Sequence, residues 1–163
     1  MVEKYGLPNW LPDGWIYKPA GKNKKLVEGV GVNDVEFACR PSIAGKRVIY
    51  KLYQTWHDML KRGFSQVTKI NRPTYKDVSV DSDWLYFSNF LTWALQKYID
   101  GYVLDKDIKY RNNKIYSADT CLFVPPNINA FVLTNREDTS LAVGVSLINS
   151  NCGLETFQAH QSY

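Results

Sequence analysis

Leu104–Asn129, LDKDIKYRNNKIYSADTCLFVPPNIN, is the stretch on which the fold turns. Val103 and Leu104 form a β-prone entry, and Asp105-Lys106-Asp107 sets two carboxylates two residues apart, on one side of a strand. Asn112-Asn113 marks a turn. The chain returns through two further β-prone runs, Ile115-Tyr116 and Cys121-Leu122-Phe123-Val124, on either side of a Ser117-Ala118-Asp119-Thr120 turn. Pro125-Pro126 stops the strand and opens a helix bearing Asn127 and Asn129. Hard oxygen ligands from the strand and the helix can then converge on one Mg²⁺-like ion. A plainer reading stands beside this one. Asp-Lys-Asp on an exposed hairpin is also an ordinary solvated charge cluster, Asn112 and Asn113 are good turn formers, and Asn129 can bond backbone near a helix start.

At these residues the chain resembles the phage-encoded HNH (ββα-metal) homing-endonuclease-like proteins. Leu104-Asp105-Lys106-Asp107, Asn113-Lys114-Ile115-Tyr116-Ser117, Thr120-Cys121, Phe123-Val124 and Ile128-Asn129 follow that family's core pattern in order. Upstream, Trp56-His57-Asp58-Met59-Leu60-Lys61-Arg62 is similar to its W-x-x-M-L-x-R helix. Arg72-Pro73-Thr74-Tyr75, Val78-Ser79-Val80, Trp84 and Phe87-Ser88-Asn89-Phe90 are similar to the segment that follows. The resemblance covers about residues 30 to 135. It implies an α+β protein with an HNH-like ββα-metal core, binding duplex DNA and hydrolysing a phosphodiester bond with Mg²⁺ or Mn²⁺.

One departure bears on the chemistry. Active HNH enzymes use a His at the end of the first strand as general base, and no His lies between His57 and His160 here. Asp105 or Lys106 takes that place, depending on the alignment of a short strand. A carboxylate can orient or deprotonate an ion-activated water, whereas Lys106 or Arg111 suits the charge developing on phosphorus. The resemblance thus implies Asp105, Asp107 and Asn129 as metal ligands and Asp105, Lys106 and Asn113 as the catalytic group, with Asn113 orienting. The alternative is a catalytically degenerate member that binds DNA or a host protein as an inhibitor.

Composition bounds the rest. The 163 residues, 45% of them hydrophobic and 14% aromatic, suffice for one main core. No apolar run reaches the ~18 residues of a membrane span, and the first residues lack a basic-then-apolar leader pattern. Cys39, Cys121 and Cys152 are scattered without CxxC pairing, which fits a reducing cytoplasm, and the resemblance implies that of an infected bacterial host. Cys121 reads as a core residue. The net charge of +4 fits a nucleic-acid partner. Lys18, Lys22, Lys24 and Lys25 cluster early, Lys46, Arg47 and Lys51 follow, and Lys61, Arg62, Lys69, Arg72 and Lys76 surround a loop. With Arg111, this last group can straddle phosphates and give a salt-sensitive contact with double-stranded DNA, or it is a set of solvated faces.

The organisation expected is an arm over 1–29, pinned by Trp10 and Trp15, an HNH-like domain over 30–135 and a C-terminal hairpin over 136–163. Two aromatic-rich helices should precede the core. The first spans about Val48 to Arg62, with Trp56 and Leu60 inward and His57 beside that face. The second spans about Asp83 to Ile99, capped by Asp81 or Ser82. In the tail, Gly144-Val145-Ser146 and Glu155-Thr156-Phe157-Gln158-Ala159 resemble the first two strands of the Apetala-type DNA-binding domain, which implies a truncated module.

Overall fold

The structure, a computed structural model, describes residues 25–43, 45–134, 145–149 and 155–159. The expectations for the arm, including Lys18, Lys22, Lys24, Trp10 and Trp15, and for Cys152 fall outside those residues. In chain order the elements are β1 (Ser42–Ile43), β2 (Lys46–Arg47), α1 (Lys51–Phe64), α2 (Gln66–Asn71), β3 (Ser79–Val80), α3 (Phe87–Leu95), β4 (Val103–Asp105), β5 (Ile115–Tyr116), β6 (Leu122–Val124), α4 (Pro126–Thr134), β7 (Val145–Asn149) and β8 (Glu155–Ala159). Short 3-10 turns at Pro73–Tyr75 and Ser82–Leu85 join them. Helices with small sheets make this an α+β protein. No helix among the described residues is long and apolar enough to cross a membrane.

Competition for backbone hydrogen bonds sets where the helices begin. Periodicity predicts α1 from Val48, yet the Val48 N–H goes to the Pro41 carbonyl and that of Tyr50 to Cys39. Those residues are therefore held extended beside the 39–41 segment, Tyr50 at ψ 123°, and α1 starts at Lys51. It runs on to Phe64, two residues past the predicted Arg62. The helix predicted over 83–99 is likewise broken. Val32 bridges Tyr86, its N–H donating to Leu85 and its carbonyl accepting from Phe87, so Tyr86 is extended (φ −93°, ψ 124°) and separates the 3-10 turn from α3. Asp81 caps the 3-10 turn by accepting from the Asp83 N–H at 2.9 Å. Asp34, distant in sequence, accepts from the Ser88 N–H at 2.9 Å in the first turn of α3.

The chain divides into two units, Met1–Val124 and Pro125–Tyr163. In the first, α1 and α3 enclose an aromatic core. Trp56, Phe87, Phe90, Leu52, Met59 and Leu60 are fully buried, and Trp56 and Leu60 face inward as their spacing requires. Tyr53, Trp56 and Phe87 stack at 5.2 to 5.7 Å between centroids. Trp84, Phe90, Trp93 and Phe123 continue the stack toward the small sheets. The Trp56 indole N–H donates to the Trp84 carbonyl at 2.7 Å, so the largest core side chain buries no unsatisfied donor. In the sheets, β4 pairs antiparallel with β6 (Val103 with Val124, Asp105 with Leu122), and β5 pairs parallel with β3. In the second unit α4 starts at Pro126, and β7 and β8 form an antiparallel hairpin from Val145↔Ala159 to Asn149↔Glu155.

Gly31 lies where the backbone crosses α1. A Cβ there would meet the Leu60 methyl in overlap and the Trp56 ring at 2.9 Å, neither of which can retreat inside a packed core. Gly31→Ala should cost about 1–3 kcal/mol, read as a lower urea midpoint with an unchanged slope.

Candidate functional site

The loop from Lys106 to Cys121 between β4 and β6 is tied down by its own polar side chains. Asp105 ends β4 and is buried, at 7% exposure. Its Oδ1 accepts from the backbone N–H groups of Asp107 and Ile108, both at 2.7 Å, so the carboxylate turns the chain out of the strand. Asp107 lies beyond the strand end. The expectation that the two carboxylates share one strand face is thereby corrected, because the chain bends at Lys106 rather than continuing the pleat.

Lys106 is buried at 6% exposure and points inward. Its ammonium donates to Asp107 Oδ1 at 2.6 Å and to the Asn113 carbonyl at 2.8 Å, and stands 5.8 Å from the centroid of the Tyr116 ring. Asn113 closes the loop from the other side. Its Nδ2 donates to the carbonyls of Lys106 (2.8 Å) and Ile115 (2.6 Å), and its Oδ1 accepts from the Ile115 N–H (3.1 Å). It is a clamp on the backbone. Asn112, at φ 60°, takes the left-handed turn expected of it.

The Ser117–Thr120 turn is locked by the same means. The Thr120 hydroxyl donates to the Ile115 carbonyl at 2.7 Å and accepts from the Ser117 N–H at 3.1 Å, while Ser117 Oγ accepts from the Thr120 N–H. Cys121 follows, buried, with its thiol pushed up to about 11 by burial. Hydrogen bonding to Ser117 and Thr120 and the Lys106 charge partly offset that rise, to which the Asp105 charge adds. Tyr116 is pushed up to about 12, again by burial, partly offset by Arg62.

Of the proposed metal ligands, Asp105 and Asp107 meet in this loop, but each is already engaged. Asp105 Oδ1 holds two N–H groups, leaving Oδ2 without a hydrogen-bond partner among the described residues. Asp107 Oδ1 faces an ammonium at 2.6 Å, and that charge opposes a dication at the same oxygen. Asn129 belongs to the other unit, on α4, where its N–H donates to the Pro125 carbonyl at 3.1 Å and its buried Oδ1 has no hydrogen-bond partner among the described residues. Among the described residues no group of three or more His, Cys, Asp or Glu side chains gathers to hold a metal. A divalent ion held by Asp105 and Asp107 therefore does not fit this arrangement while Lys106 occupies it.

The expected phosphate contacts separate into two kinds. Arg62 lies against Tyr75 (5.8 Å to the ring centroid) and donates to the Tyr116 hydroxyl at 3.3 Å, and Lys69 donates to the Val78 carbonyl at 3.3 Å. Both are half-buried and brace the fold. Lys61, Arg72, Lys76 and Arg111 are exposed. His57 sits on α1 with Nε2 at 3.3 Å from Glu28 Oε1 and Nδ1 at 3.8 Å from Asp58 Oδ1.

Residue types alone do not single out Tyr116 and Thr120 as organisers of the site. The signal is present in N-x-I-Y-S-x-x-T, since Asn and Ser/Thr two or three residues apart are the side chains that close short backbone loops. No protein-family model matches the chain, and no match was found among curated proteins or solved structures.

Lys106 and Asp107 should couple strongly. Asp107→Ala leaves a buried ammonium with the Asn113 carbonyl and the Tyr116 ring but no carboxylate and should cost about 3–5 kcal/mol, while Lys106→Met/Asp107→Ala should recover most of that stability in a denaturation cycle. Alkaline stability follows in part from these two raised groups. The folded state keeps the Cys121 and Tyr116 protons that the unfolded chain releases near pH 9 and 10, so stability should fall as pH rises from about 9 toward 12. Urea midpoints across that range should fall less steeply in Cys121→Ala.

Proposed function

We propose that this chain is a duplex-DNA-binding protein built on an HNH-like β-β-α frame, in which the loop after the first strand serves as a rigid structural clasp. The supporting observation is the Lys106–Asp107 pair. In an active metal-dependent endonuclease this position is expected to offer open oxygens to an ion, whereas here a buried ammonium fills it and Asn113 fastens it. The ordered motifs imply a ββα pattern, supported by the pairing of β4 with β6 and by α4 following β6 in the chain after the intervening β5, and the exposed Lys61, Arg72, Lys76 and Arg111 suit a phosphate backbone. On this reading the protein is a catalytically degenerate relative of the phage HNH endonucleases, working in the cytoplasm of an infected host by occupying DNA.

A second reading, DNA cleavage or nicking of the HNH endonuclease type, is favoured by one specific feature. Asp105 stands at the end of β4, where the family carries its general base, and its Oδ2 remains unpartnered among the described residues. That oxygen can accept a proton from a water. No step through a bound ion is derived from the present side-chain arrangement.

Gel retardation of duplex DNA over a salt series, beside nicking of supercoiled plasmid with Mg²⁺ or Mn²⁺, separates the readings. Retardation that weakens linearly in log[salt] with no nicking is the expected result. Nicking that disappears in Asp105→Asn, which keeps an acceptor for the Asp107 and Ile108 N–H groups, would establish the enzyme instead. Absence of both retardation and nicking would overturn the DNA-binding proposal.

A further inference from the structure

α2 is a six-residue helix with no buried side chain, and it carries the two most exposed large hydrophobic residues described, Ile70 at 74% and Val67 at 68%. The helix turns through 100° per residue, which puts Gln66, Val67, Ile70 and Asn71 on one face, and all four are exposed. The opposite face, Thr68 and Lys69, is half-buried, with Lys69 held on the Val78 carbonyl. Ser65 caps the helix by accepting from the Thr68 N–H at 3.3 Å, so α2 is fixed to the end of α1 although it buries nothing of its own. The outward face is thus displayed by a braced corner.

The sequence from Lys61 to Lys76, which includes that face, is basic, with Asp58 and Asp77 at its two ends. Between Asp58 and Asp77 the sequence carries Lys61, Arg62, Lys69, Arg72 and Lys76 and no Asp or Glu. Lys61, Arg72 and Lys76 are exposed. Protein–protein interfaces tend to exclude lysine and to centre on aromatic anchors, neither of which describes this surface. Exposed cations around a small aliphatic face, with Gln66 and Asn71 as amide donors and acceptors, suit a polyanion whose phosphates are charged and whose sugars and base edges are partly apolar.

Resting on the DNA-binding reading above, we infer that the α1–α2 corner is the element that docks on duplex DNA, with Val67 and Ile70 pressed on sugar and base edges and Lys61, Arg72 and Lys76 on the flanking phosphates. The apolar pair contributes contact that salt does not screen, and the cations contribute the salt-dependent part. Aliphatic side chains used this way widen or unstack the steps they touch, so binding here should favour deformable sequences over stiff ones.

The test uses the full chain and a duplex oligonucleotide titrated over a salt series. Val67→Gln/Ile70→Gln keeps good helix formers and disturbs no buried contact, which circular dichroism verifies. This variant should bind about ten-fold more weakly with the slope of log K against log[salt] unchanged. Lys61→Gln/Arg72→Gln/Lys76→Gln should instead lower that slope by about one for each phosphate the chain no longer neutralises. Wild-type binding matched by an unweakened Val67→Gln/Ile70→Gln variant would overturn the docking assignment while leaving the DNA-binding reading intact. Failure of the wild type to bind the duplex at low salt would remove both, and would leave the α2 face to a protein.

Discussion

The buried indole of Trp56 is the point on which the arrangement depends. Its ring packs on Phe87 of α3, and its N–H reaches the Trp84 carbonyl at the last turn before the chain enters α3. That bond holds the 3-10 turn at Ser82–Leu85 against α1, and the turn carries the Val32 bridge that breaks the helix at Tyr86. Large aromatic area supplies the free energy, while one satisfied donor and the Gly31 contact fix the geometry in which it is buried. Leu60, Phe87 and Phe90 fill the remaining space without polar atoms to satisfy.

From that base the small sheets are built outward, and their loop is held by polar rather than apolar interactions. β4, β5 and β6 have two or three residues each, too few to stabilise themselves. Side-chain bonds to backbone compensate. Asp105 turns the chain, Asn113 joins the two sides of the loop, Thr120 closes the next turn, and Lys106 lies inward against Asp107 and the Tyr116 ring. A loop determined at so many points keeps one shape, which suits an element that positions a surface. It also commits the Lys106 ammonium, the Asn113 amide and one oxygen each of Asp105 and Asp107.

The cations sort by the same logic. Arg62 and Lys69 reach inward because Tyr116, Tyr75 and the Val78 carbonyl offer partners. Lys61, Arg72 and Lys76 remain exposed, beside an α2 face that is apolar and outward. Bracing and exposed cations are thereby interleaved along one short segment. Their separation is by direction of the side chain, not by residue type.

Much of this was legible from residue order. The spacing of Leu52, Trp56, Met59 and Leu60 determines an amphipathic α1 with its core face; Asn112-Asn113 and Ser117–Thr120 determine turns; Pro125-Pro126 determines where β6 ends and α4 begins, because each is decided by local backbone chemistry. Residue order alone left other features to the tertiary structure. The late start of α1 and the break at Tyr86 arise from hydrogen bonds to Cys39, Pro41 and Val32, which no local pattern contains. The pairing of β4 with β6 and of β5 with β3 was likewise settled by long-range contacts. Above all, sequence presents Asp105, Lys106 and Asp107 as three adjacent charges open to water or metal. Only folding decides that the lysine turns inward between a carboxylate, a carbonyl and an aromatic ring, because burial of a charge is stable just where its partners converge.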